Sequence, residues 1–130
     1  MSTNKRINPP GTEAIYEAYK FSQAVVAGGR VDVAGQVGIT TDMNIPDGIK
    51  EQTRQAFSNL KTVLEAAGSS LGKVTHITQY FTDIGEVSAS DEVFVEFFPN
   101  DYPARTVVQV GALVLPQLKL EVQATATLED

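Results

Sequence analysis

The chain contains no cysteine and a single histidine, His76. The absence of thiols excludes a thiolate nucleophile, a disulfide framework and the thiolate zinc sites from within the chain. With one imidazole, a subunit cannot build a zinc site of several histidines, so acid/base work falls mainly on carboxylates. Basic side chains are also few: 10 Lys and Arg against 16 Asp and Glu give a net charge of −6. Lys5-Arg6 is the only adjacent basic pair, so the phosphate-neutralising stripe on which nucleic-acid affinity rests is missing. No stretch approaches the roughly 18 apolar residues of a membrane span, and residues 1–11 carry no apolar signal region. The expectation is a cytoplasmic protein with neither nucleic acid nor membrane as partner.

What is present suits a folded core. With 130 residues, 42% of them apolar and 20% charged, the chain reads as one domain over 1–130. Residues 1–11 read as a flexible lead-in, because Pro9-Pro10-Gly11 cannot join a helix or a central strand. Residues 23–27 and 30–35 are β-rich runs around Gly28-Gly29, which predicts a hairpin. Residues 38–47 form a polar interlude. Ile49, Ala56, Phe57, Leu60, Val63, Leu64 and Ala67 trace one helical stripe, which predicts a helix over 47–67 with Asp47 as its cap and Gly68 as its stop. Residues 74–81 predict a strand, the spacing of Val87, Val93, Phe94, Phe97 and Phe98 a second helix, and 105–110 and 118–128 two more strands. Strict alternation in the last strand puts Glu121 on its polar side. The order β-β-α-β-α-β-β implies an α+β fold with two helices on one face of a mixed sheet.

Several candidate motifs fail. Gly72-Lys73 lacks the remainder of a phosphate loop, and Gly35-Gln36-Val37-Gly38 lacks the three-glycine dinucleotide pattern; Gly35 retains the possibility of letting a ligand approach the backbone. His76 lies in a strand without a partner at a useful spacing, which favours a structural role. Asp83, Glu86, Asp91, Glu92 and Glu96 surround the second helix with no calcium-loop spacing and read as a solvated face. The informative pair is Arg105 and Glu121. Arg105 opens an otherwise apolar strand, where a cation needs an anionic partner. That partner is either a bound carboxylate, with Glu121 activating a water nearby, or Glu121 itself in an internal ion pair.

The segments Tyr102-Pro103-Ala104-Arg105-Thr106 and Leu120-Glu121-Val122-Gln123-Ala124-Thr125-Ala126 resemble the signature end of the RidA/YjgF family of reactive-intermediate deaminases. Phe21-Ser22-Gln23-Ala24-Val25, Ala34-Gly35-Gln36-Val37, and Glu51-Gln52-Thr53 through Asn59-Leu60 to Leu64-Glu65-Ala66-Ala67-Gly68 resemble its other landmarks, in order. The resemblance implies a chorismate-mutase-like fold, a homotrimer with ligand sites between subunits, and hydrolysis of 2-imino or enamino acids to 2-oxo acids and ammonia without a cofactor or metal. It implies that Arg105 binds the substrate carboxylate, that Glu121 serves the attacking water, and that Gly35 faces the ligand. Phe21, Val107 and Asp91 stand where many deaminating members have tyrosine, cysteine and asparagine, which bears on pocket polarity and substrate preference. They also motivate the alternative of a carboxylate-binding trimer that does not turn its ligand over. One extra residue lies between Arg105 and Glu121, around Leu113-Val114-Leu115-Pro116; in the connection it leaves both strands' facing intact, and as a strand bulge it turns Glu121 away.

Overall fold

The computed structural model describes residues 4–128. In chain order its elements are strand β1 (Lys5–Ile7), helix α1 (Glu13–Tyr19), strands β2 (Ala24–Ala27) and β3 (Arg30–Val37), helix α2 (Ile49–Ala66), strand β4 (Val74–Phe81), helix α3 (Val87–Phe97), and strands β5 (Ala104–Gln109) and β6 (Leu120–Thr127). Six strands form one mixed sheet in the order β1-β2-β3-β6-β4-β5. Only β4 and β5 run parallel, joined across α3; every other pair is antiparallel. The last strand inserts between β3 and β4, so the crossover through α2 spans a split βαβ unit.

Local chemistry explains these elements. Gly28 and Gly29 take φ of 58° and 78° in the β2–β3 turn, a left-handed pair that only glycine adopts freely and that suits the twist of a two-residue hairpin. Helix α2 buries Ile49, Gln52, Thr53, Ala56, Phe57, Leu60, Val63 and Leu64, one continuous stripe against the sheet. Helix α3 buries Val93 and Phe94 beside it, and the hydroxyls of Thr53 and Ser90 meet at 2.8 Å between the two helices. The rings of Phe57, Phe94, Phe97 and Phe98 interlock there, with centroids 5.0–5.8 Å apart. These two helices cover one face of the sheet and leave the other open.

The structure departs from expectation at both ends of the pattern. Lys5–Ile7, within the stretch expected to be a flexible lead-in, form an edge strand against β2, with Ile7 buried and the Asn8 side chain accepting a hydrogen bond from the Gln23 amide at 2.9 Å. The prolines stop this strand and do not prevent it; residues 1–3 of the lead-in lie outside the described residues. Helix α1 has no counterpart in the sequence pattern, since its seven residues bury no side chain and carry no legible stripe. Asp47 does not cap α2: Gly48, with φ 84°, occupies that position with no side-chain cap. Gly68 does stop the helix, at φ 88°. Finally, β6 pairs continuously with β4 from His76↔Thr125 to Phe81↔Leu120. The extra residue before Glu121 is therefore absorbed in the connection 110–119, and the strand keeps its facing.

Candidate active site

Arg105 pairs with Ile77 across the parallel β4–β5 ladder, and Ile77 is buried beneath the helices. The arginine thus points to the helix-covered face. Its guanidinium lies over the Phe94 ring, 4.3 Å from the centroid, a stacking that favours arginine over lysine. Nε donates to Gln79 Oε1 at 2.6 Å, and Nη2 donates to Asp91 Oδ1 in an ion pair. Gln79 is fully buried in β4, and its Nε2 has no hydrogen-bond partner. Val107, two residues beyond Arg105, packs on the core from the same side.

Glu121 pairs with Tyr80 in β4 and Val37 in β3. Tyr80 alternates with buried Gln79 and Phe81, so Glu121 points to the open face. There it lies against Gly35, where a Cβ would stand 2.0 Å from Glu121 Oε2 and 2.9 Å from its Cγ. Between Val33 and Gln36 the β3–β6 ladder slips, leaving two residues, Ala34 and Gly35, opposite Gln123. This bulge aims both at the open side. Together with Glu121 they line a cavity of about 350 Å³ whose other walls include Ile15, Tyr19, Phe21, Met43 and Leu115. The Glu121 side chain makes no hydrogen bond or ion pair with any described residue. Burial beside these apolar walls raises its pKa above the ordinary 4.5, because desolvation disfavours the charged form.

The structure therefore sorts the six candidate residues into two groups. Gly35, Phe21 and Glu121 share the open-face cavity; Arg105, Val107 and Asp91 share the helix-covered side of β5. An Arg105–Glu121 ion pair is excluded within the subunit, since the two project from opposite faces and Asp91 is the partner that Arg105 needs. Asp91 is accordingly no mere solvated helix residue, and its acidic neighbours are engaged as well: Glu92 with Lys50 at 2.8 Å, Glu96 with Arg54 at 2.8 Å, Glu86 with Lys119 at 3.7 Å, and Asp83 with the Gly85 amide at 2.9 Å. No group of three or more metal-ligating side chains gathers among the described residues. His76 meets only the Thr106 hydroxyl, at 3.2 Å on exposed surface.

The roles of the positioning residues inside the fold are not marked by any motif, although Gln52 and Asn59 fall within the segments that carry the family resemblance. Asn59 of α2 donates from Nδ2 to the carbonyls of Val37 and Ile39 at 2.9 and 2.8 Å, fixing the backbone that lines the cavity. Gln52 donates to the carbonyls of Pro46 and Gln117 and accepts from the Lys119 amide, which ties the loop bearing Leu115 to α2. Both side chains interrupt an apolar stripe, and that interruption is the signal that the local pattern holds for them. Ile15 and Tyr19 come from α1, and nothing in their spacing marks them.

The whole site lies in a segment with known relatives. Residues 11–128 match the family model described as endoribonuclease L-PSP. The chain is 38% identical over 108 residues to the mitochondrial protein mmf2 of Schizosaccharomyces pombe, covering 82% of this chain and 86% of that one. It is 31% identical over 112 residues to the 2-iminobutanoate/2-iminopropanoate deaminase of Dermatophagoides farinae, covering 84% and 86%. Among solved structures, RidA from an Antarctic Psychrobacter superposes with a TM-score of 0.79 at 37% identity, covering 82% of this chain and 87% of that chain. One of these relatives is named mitochondrial; in this chain, no helix among the described residues is long and apolar enough to cross a membrane.

Proposed function

Because this chain belongs to the endoribonuclease L-PSP family, the RidA/YjgF group, we propose that it hydrolyses 2-imino or enamino acids to 2-oxo acids and ammonia. The observation that carries the reading is Glu121: a half-buried carboxyl without a partner among the described residues, seated on a glycine at the wall of an apolar cavity. A carboxyl so desolvated holds a proton more readily than an exposed one, which suits it to receiving a proton and passing it on. In the reaction, water adds to the imine carbon while Glu121 takes one of its protons. In the tetrahedral adduct of the protonated imine, Glu121 returns this proton to nitrogen, the C–N bond breaks to release ammonia, and the hydroxyl proton passes to Glu121 and on to solvent, leaving the ketone. The imine carbon is already electrophilic, so the protein mainly fixes the substrate and steers water and protons.

Arg105 is the carboxylate-binding group in this reading. Since it leaves the opposite face of the sheet from Glu121, a complete site joins Glu121 of one copy to Arg105 of another. A homotrimer with its open sheet faces inward supplies that arrangement, and no cofactor enters. The apolar wall of Phe21, Val37 and Leu115 then receives the substrate's side chain. A net charge of −6 speaks against RNA as the substrate, whatever the family's description.

The test is turnover of imines released by an amino-acid oxidase, followed as 2-oxo acid formation. Wild type is expected to accelerate it, and Arg105→Ala to lose about 10²-fold or more, the penalty for a misplaced reactant. Equal rates for wild type, Arg105→Ala and buffer would defeat the reading, and ligand-induced stabilisation without turnover would leave the carboxylate-binding trimer in its place.

A further inference from the structure

Arginine offers a carboxylate two forked edges: a side-on edge made by Nε–H with one Nη2–H, and an end-on edge made by Nη1–H with the other Nη2–H. In this protein both donor atoms of the side-on edge are engaged. Gln79 Oε1 takes Nε at 2.6 Å, and Asp91 Oδ1 takes Nη2. The Gln79 amide is held for its oxygen alone, since its buried Nε2 finds no partner. The Phe94 ring covers one flat face of the guanidinium at 4.3 Å. What remains for a ligand is the end-on edge, on a side chain that keeps 25% of its surface exposed beside an Asp91 that keeps 40%.

A carboxylate arriving there shares Nη2 with Asp91. Two carboxylates on one guanidinium repel each other, and the local charge after binding is −1. A ligand that carries a positive nitrogen next to its carboxylate relieves both problems when it binds with that nitrogen on the Asp91 side of the shared Nη2. Asp91 Oδ2 forms no hydrogen bond with any described residue and is open to receive it.

We infer that Asp91 is a specificity-determining residue: with Gln79 closing the side-on edge of Arg105, it makes the site select ligands bearing a cationic nitrogen beside the carboxylate and reject bare 2-oxo anions. The inference rests on Arg105 being the carboxylate-binding group. It goes further in naming what distinguishes substrate from product. The protonated imine is held by both charges; once the nitrogen has left as ammonia, the 2-oxo acid faces Asp91 with nothing to offset the repulsion and is released. Discrimination here comes from a repulsive element as much as an attractive one.

The experiment compares two ligands of the same skeleton, 2-aminobutanoate and 2-oxobutanoate, by calorimetric titration of wild type, Asp91→Asn and Asp91→Ser, with imine turnover measured in parallel. Wild type is expected to favour the amino acid. Both variants are expected to shift the ratio of dissociation constants toward the 2-oxo acid by roughly tenfold, the size of one charge-assisted hydrogen bond, and to show tighter product inhibition. Asp91 is partly exposed, so the ligand-free melting temperature should stay close to that of wild type in at least one variant. An unchanged ratio, or binding of neither ligand by any of the three proteins, would overturn the inference. Turnover with an unchanged ratio would leave the deaminase standing without this selectivity; a shifted ratio without turnover would leave the selectivity standing without the deaminase.

Discussion

The two ionisable residues on which the function turns occupy opposite environments within one sheet. On the helix-covered side, Arg105 is held from three directions, by Gln79, Asp91 and the Phe94 ring. On the open side, the Glu121 side chain lies against Gly35 and apolar walls and bonds to no described residue. A group that must grip a fixed carboxylate gains from being immobilised in the free protein, because its side-chain entropy is then lost before the ligand arrives. A group that must exchange protons gains from the reverse. Surrounded by donors, Glu121 would ionise readily and become a weak base; desolvated and unpaired, it keeps a raised pKa. The contrast separates binding from proton transfer.

The largest expected effect removes the proton carrier. Glu121→Gln keeps the shape and loses the titrating group, so imine turnover should fall by about 10² to 10⁴-fold, the usual contribution of general acid–base catalysis. The same variant gives an independent stability readout. The folded-state pKa of Glu121 lies above its ordinary value, so between the two values the folded chain binds more protons than the unfolded one, and stability is lost as pH rises through that window. Glu121→Gln escapes this loss. Its stability relative to wild type should rise with pH from about 4.5 upward, checked by urea denaturation at a series of pH values. A difference that does not change with pH would show that the carboxyl is not desolvated.

A second test uses two glycines three residues apart. A Cβ at Gly35 meets the Glu121 side chain, at 2.0 Å from Oε2 and 2.9 Å from Cγ, whereas a Cβ at Gly38 meets the backbone of Gln52 in α2, at 2.7 and 2.8 Å. Gly35→Ala is relieved by swinging the carboxyl out of the cavity. Its stability should change by less than about 1 kcal/mol, while turnover drops by about 10²-fold, as expected for a misplaced group. Gly38→Ala has no such escape and should lose about 1–3 kcal/mol through overpacking against the helix. If both variants unfold equally in thermal melts, Gly35 is a packing glycine and nothing more.

How much of the molecule is legible in its sequence follows the same divide. The hairpin at Gly28-Gly29, the stripe of α2 and the alternation around Glu121 are readable because each is a periodic pattern with one buried side. Edge strand β1 and helix α1 are not, since three residues before a proline pair and seven residues without a buried side chain leave no period to detect. The site is half legible. The charge of Arg105 in an apolar strand demands an anion, but the demand is equally met by Glu121, by Asp91 or by a ligand, and only the register Ile77↔Arg105 and Tyr80↔Glu121 decides between them. The roles of amides such as the buried Gln52 and Gln79 and the half-buried Asn59 are hardest of all. Their roles depend on which carbonyl or guanidinium the fold brings near, which no local spacing encodes.

The smallest effect on stability is also the most discriminating for the arginine side. Gln79→Leu deletes a hydrogen bond to a charged group, worth about 1.5–3 kcal/mol, and at the same time removes a buried Nε2 whose missing partner carries a penalty of about 1–3 kcal/mol. The two terms oppose, so unfolding by denaturant should shift by no more than about 1 kcal/mol in either direction. Binding should change more than folding does. With Nε freed, Asp91 can take the whole side-on edge, the guanidinium turns toward it, and the end-on edge is no longer aimed where a carboxylate arrives. KM should rise while kcat stays near the wild-type value, the signature of lost uniform binding. If instead the protein loses several kcal/mol with kcat and KM moving together, Gln79 is a structural element of the core, and the rigidity of Arg105 is a consequence of packing alone.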